Sequence, residues 1–177
     1  MPGANVTSRA HASAMTDLGP LAPHDIALAV PRHWATHADP DEGIVLAARA
    51  PRRPPSGFAP ELVLRAVPVT GDPERWRRQA LVSRAPHLDR FEVEDVDEVD
   101  LAGLAACYRR FGHRVAGLDV VCDQWMWVAH GLGLTLTGSV ARVEYADYCD
   151  VFEEVAATVE VTPVVRPAPA RPDEGRW

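Results

Sequence analysis

Lysine is absent from this 177-residue sequence, and all of its basic residues are arginine. The arginines are spread along the chain and are outweighed by carboxylates, leaving a formal net charge of −7. A nucleic-acid binder needs a basic patch to neutralise phosphates, so this balance argues against that class. Cysteine is scarce. Cys107, Cys122 and Cys149 are odd in number and form no CxxC pair, which excludes a disulfide framework and makes a reducing cytoplasm the expected compartment. No apolar run approaches the ~20 residues that cross a bilayer, so membrane insertion is not expected. The opening residues, Met1 to His11, lack the continuous apolar stretch of a secretory signal and a cysteine to carry a lipid. Met15 is an alternative start.

Catalytic signatures are missing too. The chain has no GxSxG, HExxH, P-loop or GxGxxG motif. Its histidines fall at turns or near the ends, without the spacing of metal ligands. Cys107 and His113 lie six positions apart on one extended segment, at about 3.3 Å per residue, too far for a thiol–imidazole pair. The expectation is a non-enzyme with no catalytic residues, no cofactor and no metal.

What is present is a sheet protein of ordinary globular composition, 47% hydrophobic and 24% charged. A chain of this length buries about 70% of its unfolded surface, so it can fold as a monomer without metal or disulfide. Leu118 to Val140 is the organising stretch. Its first half is apolar, aromatic and β-branched, and its second half alternates Leu with Thr. His130-Gly131 suits a two-residue hairpin turn. That register sets Trp127 opposite Leu134 and Trp125 opposite Leu136, on a core face shared with Tyr108 and Val121. The other face carries Cys122, Gln124, Met126, Thr135 and Thr137.

Other strands are expected at Asp25 to Val30, Ile44 to Ala48, Glu61 to Val69 and Gly103 to Phe111, with a short strand and turn in the acidic stretch from Phe91 to Leu101. That acidic stretch lacks the glycine and terminal glutamate of a calcium loop and reads as a solvated edge. Pairing Gly112 with Gly117 would put Phe111 opposite Leu118, Arg110 opposite Asp119 and Cys107 opposite Cys122. Trp34 should plug the end of the core from a loop. A helix should begin at Asp72 as N-cap with Pro73 in the first turn, turn Trp76, Ala80 and Leu81 to the sheet, and end by Pro86. A second helix is expected over Glu144 to Val159, with Tyr145, Tyr148, Phe152, Val155 and Val159 as its apolar stripe. Residues 1–23 and 163–177, rich in Ala, Ser and Pro or in Pro and Arg, are expected to be disordered tails around a domain at 24–162.

In order, these are strands, a helix, antiparallel strands and a closing helix: an α+β fold with an antiparallel sheet of about six to seven strands and helices packed on it. The arrangement resembles the PsbP/Mog-like fold, including the LpqN-type and DcrB-like bacterial proteins. The likeness rests on Ala29-Val-Pro-Arg-His-Trp34, on Gly103 with the strand Leu104 to Arg109, on Asp123-Gln-Trp with Leu134-Thr-Leu-Thr-Gly138, and on Tyr145 to Thr158 with a Phe facing the sheet. It spans Asp25 to Val161. The resemblance implies an α/β sandwich and a non-enzymatic binding role. With neither signal nor lipidation cysteine, this chain departs from the lipoprotein members, which leaves a cytoplasmic adaptor or a secretion-associated chaperone.

The expected working surface is the face bearing Gln124, Met126, Thr135 and Thr137. Three hydroxyl or amide groups beside one adaptable thioether suit a partly uncovered face that meets a protein partner. The competing reading lays a helix over that face and assigns the threonines to strand propensity. The alternative function is a small-ligand carrier or minor enzyme with a pocket between the sheet and the Pro51 to Gly57 loop.

Overall fold

The computed structural model describes residues 9–16, 24–82, 88–101 and 103–164. Its strands are β1 (Arg9–Thr16), β2 (His24–Pro31), β3 (Ala35–Asp39), β4 (Ile44–Arg49), β5 (Glu61–Pro68), β6 (Asp89–Leu101), β7 (Leu104–Val115), β8 (Leu118–Ala129), β9 (Leu132–Ala141) and β10 (Glu160–Pro163). Two helices, α1 (Pro73–Val82) and α2 (Tyr145–Ala156), complete the α+β fold. The main sheet has seven antiparallel strands in the order β3-β4-β5-β9-β8-β7-β6, and a small sheet has the order β1-β2-β10.

The His130-Gly131 hairpin forms in the expected register, with Trp127 opposite Leu134 and Trp125 opposite Leu136. Both turn residues have positive φ, 51° and 78°, the geometry that matches the twist of the flanking strands. Because β8 is central, its two faces are both covered. One face, with Tyr108, Trp125, Trp127, Leu134 and Leu136, joins α2 and the β2 side chains Ile26, Leu28 and Val30 in the main core. Four of the five expected stripe residues lie on α2: Phe152 and Val155 are buried, and Tyr145 and Tyr148 pack against the same core; Val159 packs there too, but from beyond the end of the helix. Trp34 is buried and its ring lies 6.4 Å from that of Tyr148, so it does close the end of the core. The opposite face of the sheet is covered by α1, whose Asp72 cap accepts the Glu74 N–H at 3.0 Å.

Several expectations need correction. Residues 1–23 are not wholly a tail, because Arg9–Thr16 pairs along the whole of β2. That segment is rich in alanine and carries no β-branched run, so its pairing comes from the edge offered by β2 and not from its own propensity. At the other end, Val161 and Pro163 pair with Ile26 and His24 of β2. Trp34 does sit in a loop, the turn between β2 and β3, where its N–H donates to the Pro31 carbonyl at 2.9 Å; the addition is β3 itself, a strand that follows at once from Ala35. The acidic stretch is one long strand, β6, and not a short strand with a turn. The β7–β8 turn is Ala116-Gly117, so Arg110 faces Asp123, Phe111 faces Cys122, and it is Arg114 that faces Asp119. The closing helix is preceded by a 3-10 turn at Arg142–Glu144 and ends at Ala156. Residues 1–8, 17–23 and 165–177 and the expected helix stop at Pro86 lie outside the described residues.

Candidate functional site

The sheet face expected to work as a docking surface proves to be mostly interior. Gln124 and Met126 are buried, while Thr135 and Thr137 are half-buried. A helix does cover the face, and the Gln124 amide finds both of its partners within the chain. The Arg109 guanidinium Nη2 donates to Gln124 Oε1 at 2.6 Å, and Gln124 Nε2 donates to Thr137 Oγ1 at 3.0 Å. The same guanidinium stands 4.9 Å above the Phe111 ring and 5.6 Å from that of Phe91. Burial of an amide and a charge is tolerable only with such partners. The structure therefore unites the four residues on one face, but does not offer Gln124 or Met126 to a partner. α1 itself rides lightly there: its Trp76 is half-buried over Gly133, and a cleft of about 270 Å³ remains beneath it.

The loop at residues 51–57 is tied down at one point, where the Ser56 N–H donates to Glu144 Oε1 at 2.9 Å. The clefts beneath α1, at the β7–β8 turn and between β6 and α2 all lie away from that loop.

The most differentiated surface lies on the other side of the sheet, where β6, β7 and β8 meet α2. Register places Asp97 beside Tyr108, and Asp95 beside Arg110, which in turn faces Asp123. From α2, Tyr145 reaches down to the strands. The Asp123 carboxylate is buried, and three donors converge on it. The Tyr108 hydroxyl donates at 2.5 Å, the Tyr145 hydroxyl at 2.9 Å to Oδ2 and 3.2 Å to Oδ1, and Arg110 Nε at 3.2 Å. The Arg110 guanidinium also lies 4.8 Å from the centre of the Tyr145 ring. A carboxylate in the interior of a central strand requires this degree of compensation.

Around this cluster the surface opens into a cleft of about 380 Å³. Val99, Trp125 and the two tyrosines form its apolar wall, and Asp95, Asp97, Asp150 and Glu153 join Asp123 in lining it. Burial and the neighbouring Asp123 carboxylate push both tyrosines upward in pKa, so their hydroxyls remain donors and do not act as bases. Cys149, also in the cleft, has its thiol raised by burial and then by Asp150, which suppresses the thiolate a nucleophile would need. Among the described residues, no group of three His, Cys, Asp or Glu side chains is arranged to hold a metal ion.

Beyond the cleft, β6 is the outermost strand of the main sheet. It runs for 13 residues, and Glu92, Glu94, Asp95, Asp97, Glu98 and Asp100 along it are exposed. Val93 and Val96 are exposed among them, at 45% and 54%. Sequence reading treats this stretch as a solvated edge and misses the cleft. The available signal was Asp123, a charge embedded in the apolar run from Leu118 to Val128, which demands partners once that run is central.

This geometry belongs to a known architecture. The chain has the PsbP/LpqN-like fold. The crystal structure of LpqN, involved in cell envelope biogenesis of Mycobacterium tuberculosis, superimposes with a TM-score of 0.64 at 16% identity, over 86% of this chain and 92% of that one. The solution structure of cyanobacterial PsbP from Synechocystis gives 0.59 at 13% identity, over 91% and 96%. A protein of unknown function from Pseudomonas aeruginosa gives 0.57 at 15% identity, over 88% and 99%. No family model matches the sequence, and no curated protein does. At such identities the likeness concerns the fold.

Proposed function

We propose that the protein is a non-enzymatic binding module that receives an extended, basic segment of a partner protein along the outer edge of β6. The observation that carries this reading is the edge itself, which no described strand pairs: a 13-residue strand at the end of the sheet, with carboxylates along it. An open edge offers a row of backbone donors and acceptors to an added strand. Its charge selects the guest. Like charges repel a second copy of β6, whereas a strand of alternating basic residues is attracted, so the same side chains protect against self-association and favour a basic partner. Val93 and Val96 supply apolar contact between the charges.

The fold is shared with LpqN, which is involved in cell envelope biogenesis, and with cyanobacterial PsbP. Within the binding role we assign the protein to the cytoplasmic adaptors or secretion-associated chaperones. Among the described residues no helix is long and apolar enough to cross a membrane.

The test uses short extended peptides that alternate valine with arginine, glutamine or glutamate, followed by fluorescence anisotropy. The arginine peptide should bind alone and should weaken as salt rises. The triple variant Asp95→Asn, Asp97→Asn, Glu98→Gln should bind it less. Equal binding of all three peptides, or no binding of any, overturns the reading.

A further inference from the structure

We infer that the cleft between β6 and α2 is a recognition pocket for a single arginine side chain of the partner strand; the inference rests on the β6 reading and specifies which residue of the guest is read. The cleft opens beside the edge strand, because Asp95, Asp97 and Val99 of β6 form one of its walls. A side chain from a strand laid along β6 and pointing to the α2 side therefore enters it, as alternate residues of an added strand point to one face.

Its chemistry suits a planar cation. Among the described residues Arg110 is the one basic group lining the cleft, and it is engaged with Asp123. Asp95, Asp97, Asp150 and Glu153 have no cationic partner among the described residues, so the cleft keeps an excess of negative charge. The tyrosine rings add faces that attract a guanidinium. The molecule already shows this pairing internally: Arg110 lies 4.8 Å from the Tyr145 ring centre while its Nε bonds Asp123. Carboxylates on both banks, from β6 and from α2, can take the several N–H donors of a guanidinium, where an ammonium is only a point charge. A volume of about 380 Å³ accommodates one such side chain beside Arg110.

The experiment separates this pocket from the β6 edge. Asp150→Asn with Glu153→Gln changes exposed side chains of α2 only and leaves β6 intact. The probes are the valine–arginine peptide, the same peptide with its central arginine replaced by citrulline or by lysine, and free argininamide. The wild-type protein should prefer arginine over citrulline by about tenfold, the scale of a lost charge-assisted contact, with lysine between them. The double variant should lose that preference while holding the citrulline peptide as before. Argininamide should shift the Tyr108 and Tyr145 ring signals in NMR spectra of the wild type and not of the variant. An unchanged preference in the variant, or no shift with argininamide, overturns the pocket even where the peptides bind. Failure of every peptide, with argininamide still shifting the rings, overturns the β6 reading and reduces the pocket to a site for free cations, against the inference.

Discussion

The Phe152 ring lies directly on Gly138: a methyl group at that glycine would stand 2.5 Å from Phe152 Cγ and within 2.9 Å of two further ring atoms. Phe152 has no exposed surface and cannot swing away. Gly138→Ala should therefore cost about 1–3 kcal/mol, the usual penalty for overfilling a close-packed site. Gly133 meets a ring equally closely, that of Trp76, but Trp76 is half-buried on a thinly packed helix that can lift. Gly133→Ala should cost less than Gly138→Ala in urea unfolding. The reverse order would show that α1 is held more firmly than α2.

The β7–β8 turn offers a stabilising change. Ala116 has φ 49° and Gly117 φ 85°, a pair of left-handed conformers that an alanine adopts at a cost. Asparagine tolerates this region, and Asn-Gly is the favoured pair for such a turn. Ala116→Asn should raise the stability by about 1 kcal/mol, read as a higher urea midpoint with an unchanged slope. No gain would place the turn elsewhere.

The same alanine explains where the sequence misleads. His130-Gly131 announces its turn because a glycine stands at the second position, and the strands on either side carry a clear pattern. Ala116-Gly117 has its glycine in the second position too, but Gly112 stands nearby as a rival and draws the turn towards itself, which displaces the β7–β8 register. The displacement is an even number of residues, so Tyr108 and Trp125 still fall on the core side. Faces are therefore legible where exact partners are not. β1 is hidden for another reason: its alanines pair well with β2 without any local preference for doing so. The cleft is the least legible feature. Asp97, Tyr108, Asp123 and Tyr145 come from three strands and a helix, and no local period connects them; only the meander brings them together.

His113 sets part of the pH response. Burial lowers its pKa below the ordinary 6.5, so between the two values the unfolded chain binds the proton and the folded chain does not. Stability must then fall as pH drops through about 6.5 and recover above it. His113→Gln should flatten the loss measured by urea unfolding between about pH 8 and about pH 5. An unchanged slope would assign the acid sensitivity to other groups.

Asp123 allows a decision between two kinds of support. Its carboxylate is held by an ion pair to Arg110 and by two tyrosine hydroxyls. The Arg110 side chain is 33% exposed, so water screens the pair and can solvate the guanidinium when the partner is lost. The hydroxyls are better shielded, and a hydrogen bond to a charged acceptor is worth about 1.5–3 kcal/mol. Removing Arg110 should accordingly matter least: Arg110→Gln is expected to cost under about 1 kcal/mol. Tyr145→Phe should cost about 1.5–3 kcal/mol, and it also frees the contact between α2 and the sheet. Asp123→Asn should cost the most, because it weakens all the bonds at once and sets an amide N–H₂ against donor hydroxyls. Urea unfolding of the three single variants gives the order, and the double variant Asp123→Asn, Tyr145→Phe should be less destabilised than the sum of its parts, since the two residues share one interaction. If Arg110→Gln proves the costliest, the ion pair and not the hydroxyls anchors the carboxylate.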